Sequence, residues 1–286
     1  MKTFLVSVLA LLAFFRAPAQ VSVELVLDQD QFLPSESVPV AVKITNRSGE
    51  RVHFGADPNW LTFSVESVDG FVIVKNAEVP VAGEFDLESS QMGTKYVDLQ
   101  PYFAMSRSGR YRVTATLRLR DWTALVTSPA KEFDVINGAR LWEQEFGVPT
   151  GANGAPEMRK YALEEANYLR SQLRLYARVS DAAESRVIKV SAIGPMVSFS
   201  QPEAQVDRTS YLHVLYQSGA QMFTYARIAP DGEVVQRETY DYFTARPRLV
   251  VNDNGEVTVV GGVRRMKPGD LPVAPLPNKT PAPAKP

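Results

Sequence analysis

The chain has 286 residues, and its 31 Lys and Arg nearly balance its 32 Asp and Glu, for a formal net charge of -1. Such a balance gives no global field toward nucleic acids or anionic membranes, so electrostatic recognition must be local. Cysteine is absent, which excludes disulfides, a thiolate metal site and a lipidated cysteine. The length exceeds what one core usually organises and favours two domains.

The first segment, MKTFLVSVLALLAFFRAPAQ, has the three regions of a secretory signal peptide. Lys2 precedes an apolar run, and the small residues Ala17 and Ala19 lie just before a predicted cut at Gln20. The run is too short to span a bilayer, so with residues 1–19 removed the mature chain is expected to have no transmembrane anchor. We therefore expect an extracytoplasmic protein, periplasmic or secreted, and the absence of cysteine suits a bacterial envelope.

Residues 20–137 are predicted to form a β-sandwich. They contain short runs in which apolar and polar side chains alternate, such as VPVAVKITN, WLTFSVES and GRYRVTATLRLR, separated by turn residues. Alternation with a period of two is typical of antiparallel strands with one buried face. Several such strands within roughly 100 residues indicate two packed sheets.

A family resemblance supports this fold. LDQDQFLPSESVPVAVKITNRSGERV resembles the first two strands of immunoglobulin-like domains in exported bacterial proteins, and SGRYRVTATL resembles their late strand. In that resemblance Gly109 and Tyr111 take the glycine and tyrosine of the tyrosine corner, and Val113 stands where antibody-type domains carry their second cysteine. The region also resembles proteinase-inhibitor modules of the same fold, without an identifiable reactive loop. The resemblance implies a fold rather than a function.

The stretch YRVTATLRLR places Arg112, Arg118 and Arg120 on one side of a strand and apolar residues on the other. If the apolar side enters the core, the arginines point to solvent. The simpler interpretation is a solvated sheet face, on which Arg112 and Arg118 lie opposite acidic residues of neighbouring strands. If the row instead binds a ligand, guanidinium chemistry favours carboxylate or phosphate groups.

Trp60 and Trp122 complete the set of candidate binding residues. If Leu61 and Phe63 face the core, strand alternation turns Trp60 outward, and Trp122 follows the arginine row after Asp121. An exposed tryptophan can stack on a sugar or anchor a protein partner. The alternative is a lid over the end of the sandwich or a contact with the second domain.

Residues 138–157 contain four glycines and two prolines and are predicted to be a linker. Within it, Leu141, Trp142 and Phe146 are expected to dock between the domains, because burying large apolar side chains is favourable. The next stretch mixes good helix formers with an ambiguous pattern, so helix and strand both stay open for 157–167.

Residues 158–265 are predicted to form a blade-like antiparallel β domain. PEAQVDRTSYLHVLY and PRLVVNDNGEVTVVG align without a gap at an offset of 45 residues, within the range of propeller blades. The alignment pairs Val206 with Val251 and Leu212 with Val257, and all four are predicted to be buried. The region resembles blades of sialidase-type β-propellers, but two or three blades are too few for a closed propeller.

Few residues suggest catalysis. The chain has two histidines, His53 and His213, and no nucleophile motif such as G-x-S-x-G. Paired carboxylates for glycoside hydrolysis are not evident, because candidates such as Asp57 and Asp207 lie beside turn-forming residues. NDNGE at 252–256 is too short for a calcium loop, and no glycine-rich phosphate loop is present. We therefore expect no metal site and no cofactor.

Taken together, the sequence predicts an all-β protein in which an immunoglobulin-like sandwich precedes a blade-like β domain and a proline-rich disordered tail at 266–286. The predicted function is that of a non-catalytic, exported binding or scaffold protein of the bacterial cell envelope. Its partner would be a protein or polysaccharide of the envelope, and not nucleic acid. The alternatives are a glycoside hydrolase on the propeller-like domain and a proteinase inhibitor.

Overall fold

The computed structural model describes residues 21–119, 125–149, 154–169 and 172–267. Over these residues the chain is all-β, as predicted, and its strand pairs are antiparallel apart from one short parallel pair. The predicted signal peptide lies outside the described residues, as does the predicted tail from residue 268 onward.

In the N-terminal half, residues 21–137, two main sheets share one hydrophobic core. The strands are β1 (Val21–Leu27), β2 (Gln31–Phe32), β3 (Pro39–Asn46), β4 (Val52–Phe54), β5 (Leu61–Ser67), β6 (Phe85–Leu87), β7 (Met92–Asp98), β8 (Gly109–Arg118), β9 (Leu125–Thr127) and β10 (Lys131–Val135), with a 3₁₀ turn at Gln100–Tyr102. One sheet has the order β1-β3-β7 and the other β2-β10-β8-β5, while β9 pairs with the end of β8 and β4 pairs with β6. The core therefore lies between two sheets, as a sandwich requires.

Strand β8 shows how the sequence pattern sets this packing. Its residues from Tyr111 to Leu117 are alternately buried and turned away from the core, so the apolar row enters the core as predicted. The Tyr111 hydroxyl donates a hydrogen bond to the Arg107 carbonyl at 2.5 Å. A tyrosine corner makes this kind of bond. The immunoglobulin-like class itself stays a prediction.

In the C-terminal half, residues 138–267, two larger antiparallel sheets enclose a second core. The strands are β11 (Ala139–Val148), β12 (Glu157–Tyr168), β13 (Gln172–Asp181), β14 (Val187–Pro195), β15 (Glu203–Val206), β16 (Leu212–Gly219), β17 (Met222–Ile228), β18 (Val234–Asp241), β19 (Arg248–Val251), β20 (Val257–Val260) and β21 (Val263–Arg264). The sheet orders are β11-β12-β13-β14 and β15-β16-β17-β18-β21, and β19 and β20 form a separate two-stranded sheet.

The linker predicted for 138–157 is wrong over β11, which is a regular strand paired with β12. Phe146 is buried and stacks on Tyr161 with ring centroids 4.0 Å apart. Leu141 and Trp142 are partly buried against the same core. These side chains therefore pack within the C-terminal half rather than between the halves. Glycine and proline are concentrated at the end of the stretch, after β11.

The stretch left open between helix and strand is the strand β12. Its neighbours β11 and β13 pair with it on both sides, and Tyr161, Ala162 and Leu163 are buried in succession. A strand that is buried on both faces does not alternate between apolar and polar residues. The sequence of β12 therefore lacked the usual sign of a strand, while its helix-forming residues favoured a helix. Tertiary pairing outweighs intrinsic propensity here.

The predicted repeat corresponds to two hairpins with the same register. Val206 lies opposite Leu212 in β15–β16, and Val251 lies opposite Val257 in β19–β20, with the further pairs following at the same offset. Leu212 and Val257 are buried as predicted. Val206 is only half-buried and Val251 is 47% exposed, so the prediction of burial is wrong for these two. Val251 belongs to a two-stranded sheet, which cannot cover both of its own faces.

The turns of the two hairpins also match. The Asp207 amide donates to the Tyr211 carbonyl at 2.9 Å, and the equivalent Asn252 amide donates to the Glu256 carbonyl at 3.0 Å. In both turns the side chain of the first residue also accepts a hydrogen bond from the backbone four residues later: Asp207 Oδ1 from the Tyr211 amide, and Asn252 Oδ1 from the Glu256 amide. The 45-residue offset in the sequence is thus an offset between equivalent backbone positions.

The two halves touch through the segment between β2 and β3. Leu33 packs with Tyr176 and Val190 in a small apolar cluster. Beside it, the carboxylate of Glu36 accepts hydrogen bonds from the Leu33 amide at 2.7 Å and from Gln29 Nε2 at 3.0 Å. Glu36 is only 6% exposed, and this burial raises its pKa above the ordinary value of 4.5.

We expect Glu36→Gln to flatten the pH dependence of stability. Because the folded state holds the Glu36 proton more tightly than the unfolded chain, its contribution is fully present below the unfolded pKa and is lost as the pH rises through the folded pKa. The glutamine keeps an acceptor for the Leu33 amide and carries no charge. Between about pH 4 and pH 8, the free energy of unfolding measured with urea should fall less for the variant than for the wild type. Equal falls would contradict this role.

Candidate binding site

The arginine row of β8 points away from the core, as predicted, but its members have different surroundings. Arg112 lies opposite Glu132 of β10, and its guanidinium donates to that carboxylate at 2.9 Å. Arg110 is paired with Asp134 at 3.0 Å in the same way. The expectation of a cross-strand acid is therefore confirmed for Arg112. These exposed pairs contribute little to stability and neutralise the row locally.

Arg118, at the end of β8, has no such neighbour. It lies opposite Leu125 of β9, so the expectation of a cross-strand acid is wrong at this position. Its backbone amide donates to the Trp60 carbonyl at 2.7 Å, which fixes the end of the strand beside the turn before β5. Its side chain forms no ion pair with any residue in the part of the chain that the structure describes.

Arg118 lies between two open depressions, each of about 350 Å³, and lines both of them. The Thr62 depression is lined by Asn59, Thr62, Phe63, Lys75, Glu78, Thr116, Arg118 and Leu125. The His53 depression is lined by His53, Phe54, Gly55, Ala56, Asp57, Trp60 and Arg118. Pairing of β5 with β8 brings these distant segments together, because it sets Leu61 opposite Leu117.

The other cations of the two depressions are already matched by acids. Lys75 pairs with Glu78 at 2.6 Å. His53 lies 2.8 Å from the Asp86 carboxylate and 3.2 Å from that of Glu84. Its hydrogen bond to Asp86 raises the pKa of His53 above the ordinary value. Arg118 is therefore the group with which a carboxylate or phosphate entering either depression would pair, because no described acid engages its guanidinium.

The prediction that Trp60 is exposed is wrong. Trp60 is only 2% exposed, and its indole Nε1–H donates to the Val81 carbonyl at 2.9 Å. Its ring makes edge contacts with Phe54 and Phe85. The error has a local cause: Trp60 lies in a turn closed by its own amide and the Asp57 carbonyl, so strand alternation does not extend to it. Trp60 forms part of the wall of the His53 depression instead of a stacking surface.

The remaining predicted binding residues, Arg120 and Trp122, lie outside the described residues. They come two and four residues after Arg118 in the sequence. Of the five predicted binding residues, the structure therefore places Arg118 at a depression, Arg112 in an ion pair and Trp60 in the core.

His213 belongs to a buried hydrogen-bonded network in the C-terminal half. Its Nε2 lies 2.9 Å from Asp207 Oδ2, and its Nδ1 lies 2.8 Å from the Tyr225 hydroxyl. A neutral imidazole that donates from Nε2 and accepts at Nδ1 satisfies both contacts. Burial opposes ionisation of Asp207. Hydrogen bonds from His213, Thr209 and Tyr211 outweigh this effect and lower the pKa of Asp207. The network holds a turn rather than presenting a base to solvent.

Sequence reasoning missed Lys75 and Glu78 and considered His53 and Asp57 only as catalytic candidates. No local pattern links these residues to Arg118, since their proximity comes from the strand order. The one signal in the sequence was the alternation of β8, which put Arg118 on the solvent side of the strand.

Comparisons with protein-family models, with curated proteins and with solved structures find no match for this chain. Among the described residues, none of the helices is long and apolar enough to cross a membrane. The same part of the chain contains no cluster of His, Cys, Asp or Glu arranged to hold a metal ion.

Proposed function

We propose that this protein is a non-catalytic, exported binding or scaffold protein of the bacterial cell envelope, and that its N-terminal half binds an acidic group at Arg118. The observation that carries the proposal is the position of Arg118, which lines two adjacent depressions without an ion pair to a described residue. A planar guanidinium in that setting favours a carboxylate of an envelope polysaccharide or protein.

Binding fits the surroundings better than catalysis. Among the described residues that line the His53 depression, none carries a hydroxyl or thiol nucleophile beside the histidine. His213 is buried and both of its ring nitrogens have partners. The hydrolase alternative would need a carboxylate pair open to a sugar, and Asp207 is held in its turn by four hydrogen bonds.

We expect Arg118→Gln to weaken retention on immobilised polygalacturonate, a carboxylate-bearing polysaccharide. Arg112→Gln is the matched control, because it removes the same charge from the same strand at a position already paired with Glu132. Retention of the wild type should fall with added salt, since the Debye length shortens from about 10 Å at 0.1 M to about 3 Å at 1 M. Equal retention of the two variants, with unchanged melting temperatures, would refute the site.

A further inference from the structure

The two repeat hairpins differ in what completes them. Strand β16 pairs with β15 on one side and with β17 on the other. The equivalent strand β20 pairs with β19, and no other described strand lies against it in a ladder. In the first copy of the repeat the second strand, β16, is therefore paired on both edges. In the second copy the equivalent strand, β20, is paired on one edge only.

The unpaired edge of β20 has defined hydrogen-bonding groups. The ladder bond between the Asn252 amide and the Glu256 carbonyl fixes the alternation of the hairpin. Counting from this bond, the N–H and C=O groups of Thr258 point toward β19. The N–H and C=O groups of Val257 and Val259 point to the unpaired side of β20. The strand VTVV has no charge and no proline, which are the usual devices that protect an exposed edge.

A depression of about 640 Å³ lies at the start of this edge, beside the turn that precedes β20. Five consecutive residues from Asn254 to Thr258 line it, of which Val257 and Thr258 belong to β20, and no residue of β19 lines it. The opposite wall comes from the matching turn of the first hairpin and from Arg227 of β17. The depression is thus bounded by the turn of the second hairpin and the start of β20 on one side, and by the first hairpin's turn and Arg227 on the other.

Two arginines give the depression its chemistry. Neither Arg208 nor Arg227 forms an ion pair with a described residue. The Arg227 guanidinium lies over the ring of Tyr211 at 5.0 Å, and its buried Nε has no hydrogen-bond partner. The acids that line the same space are engaged elsewhere: Asp207 by His213, and Glu256 by the Asn252 side chain at 2.8 Å.

We propose that the C-terminal half binds an extended peptide segment that carries an acidic side chain. The segment would add a strand to β20 through the backbone groups of Val257 and Val259, in the place that β17 takes beside β16. Its carboxylate would pair with Arg227 or Arg208 across the depression. The predicted tail of this chain does not suit the role, because seven prolines between 268 and 286 remove ladder donors.

This inference is independent of the proposed function of Arg118, which lies in the other half of the chain. Random linear peptides displayed on phage, selected on the intact mature protein, should yield acidic sequences with β-forming neighbours. A selected peptide, synthesised and labelled, then serves as the probe in fluorescence anisotropy. If Arg118→Gln leaves peptide affinity unchanged, the two sites are confirmed as separate.

Val259→Pro removes one outward N–H and leaves the bonds to β19 intact, and proline is tolerated at such an edge. Val259→Ala is the matched control, because it loses the same packing and keeps the N–H. We expect the proline variant to weaken peptide affinity about tenfold relative to the alanine variant. Arg227→Gln should weaken it at least about tenfold, whereas Arg248→Gln, an exposed arginine that does not line the depression, should not.

Alternate N-methylation of the peptide provides a test that needs no protein variant. Methylation on the edge that faces β20 should abolish binding, and methylation on the opposite edge should preserve it. No acidic enrichment in the selection, or equal binding of both methylated peptides, would overturn the proposal. A concentration-dependent dimer in light scattering that is lost in Val259→Pro would also overturn it, because the occupant of the edge would then be a second copy.

Discussion

Trp60→Ala is expected to lower the free energy of unfolding by about 3–5 kcal/mol. The substitution empties a site in which the indole is 2% exposed and contacts Phe54 and Phe85. It also leaves the Val81 carbonyl without its hydrogen-bond donor. Urea unfolding followed by circular dichroism measures the change directly.

Trp60→Phe provides the control for this prediction. The phenyl ring keeps much of the aromatic packing but cannot donate to Val81, so a smaller loss is expected, of about 1–3 kcal/mol. If Trp60→Ala changed stability by less than about 1 kcal/mol, the side chain would behave as an exposed residue. Trp60 would then point to solvent, as strand alternation predicts, and would not form part of the wall of the His53 depression.

Asp207→Ala is expected to lower the free energy of unfolding by about 2–4 kcal/mol, because it leaves the buried His213 and the partly buried Tyr211 amide without their acceptor. The Asp207 carboxylate accepts from His213, from the Thr209 amide and hydroxyl, and from the Tyr211 amide. Because the pKa of Asp207 is lowered in the folded state, its ionised form contributes stability above the unfolded pKa of about 3.8 that is lost as the pH falls through the folded pKa. Chemical unfolding at neutral and acidic pH measures both the loss and its pH dependence.

Asp207→Asn is the matched control, and the repeat itself suggests it, because Asn252 holds the same position in the second hairpin. The amide oxygen can accept from the Tyr211 amide, and the amide nitrogen can donate to His213 if the imidazole adopts its other tautomer. We therefore expect a loss smaller than that of the alanine variant. Equal losses would show that the negative charge, and not the hydrogen-bonding pattern, holds the turn.

The strands with one buried face could be predicted from the sequence because alternation reports burial directly. Strand β8 is the clearest example, with Tyr111 and Val113 inside and Arg112 between them pointing out. The repeat could also be recognised, since its two hairpins keep one register over 45 residues. The burial of the aligned valines was harder to infer, because Val251 lies in a two-stranded sheet and Val206 lies in a larger one.

Strands β11 and β12 could not be predicted reliably, for two different physical reasons. At β11 the four glycines and two prolines of 138–157 suggested a linker, although the strand ends before four of these six residues. In β12 both faces are buried, so Tyr161 and Ala162 follow one another without a polar break. Each strand is specified by its neighbours in the sheet, and no window of local sequence contains those neighbours.

The candidate site could be predicted only in part. The strand pattern put Arg118 on the solvent side correctly, and the choice of acidic ligands followed from guanidinium chemistry. The pattern could not show that Glu132 neutralises Arg112 while β9 brings no acid to Arg118. That difference depends on strand register between distant segments. The edge of β20 likewise became visible only once the pairing of β16 was known.

The central claim, that the N-terminal half binds an acidic group at Arg118, is tested most directly by localising a ligand on the protein. Titration of ¹⁵N-labelled mature protein with galacturonate oligomers would report every amide that changes its environment. The structure predicts shifts at residues 53–57 and 116–118 that saturate together and disappear in Arg118→Gln. Shifts confined to the surface around Arg112 and Glu132, or shifts that persist in Arg118→Gln, would contradict the claim.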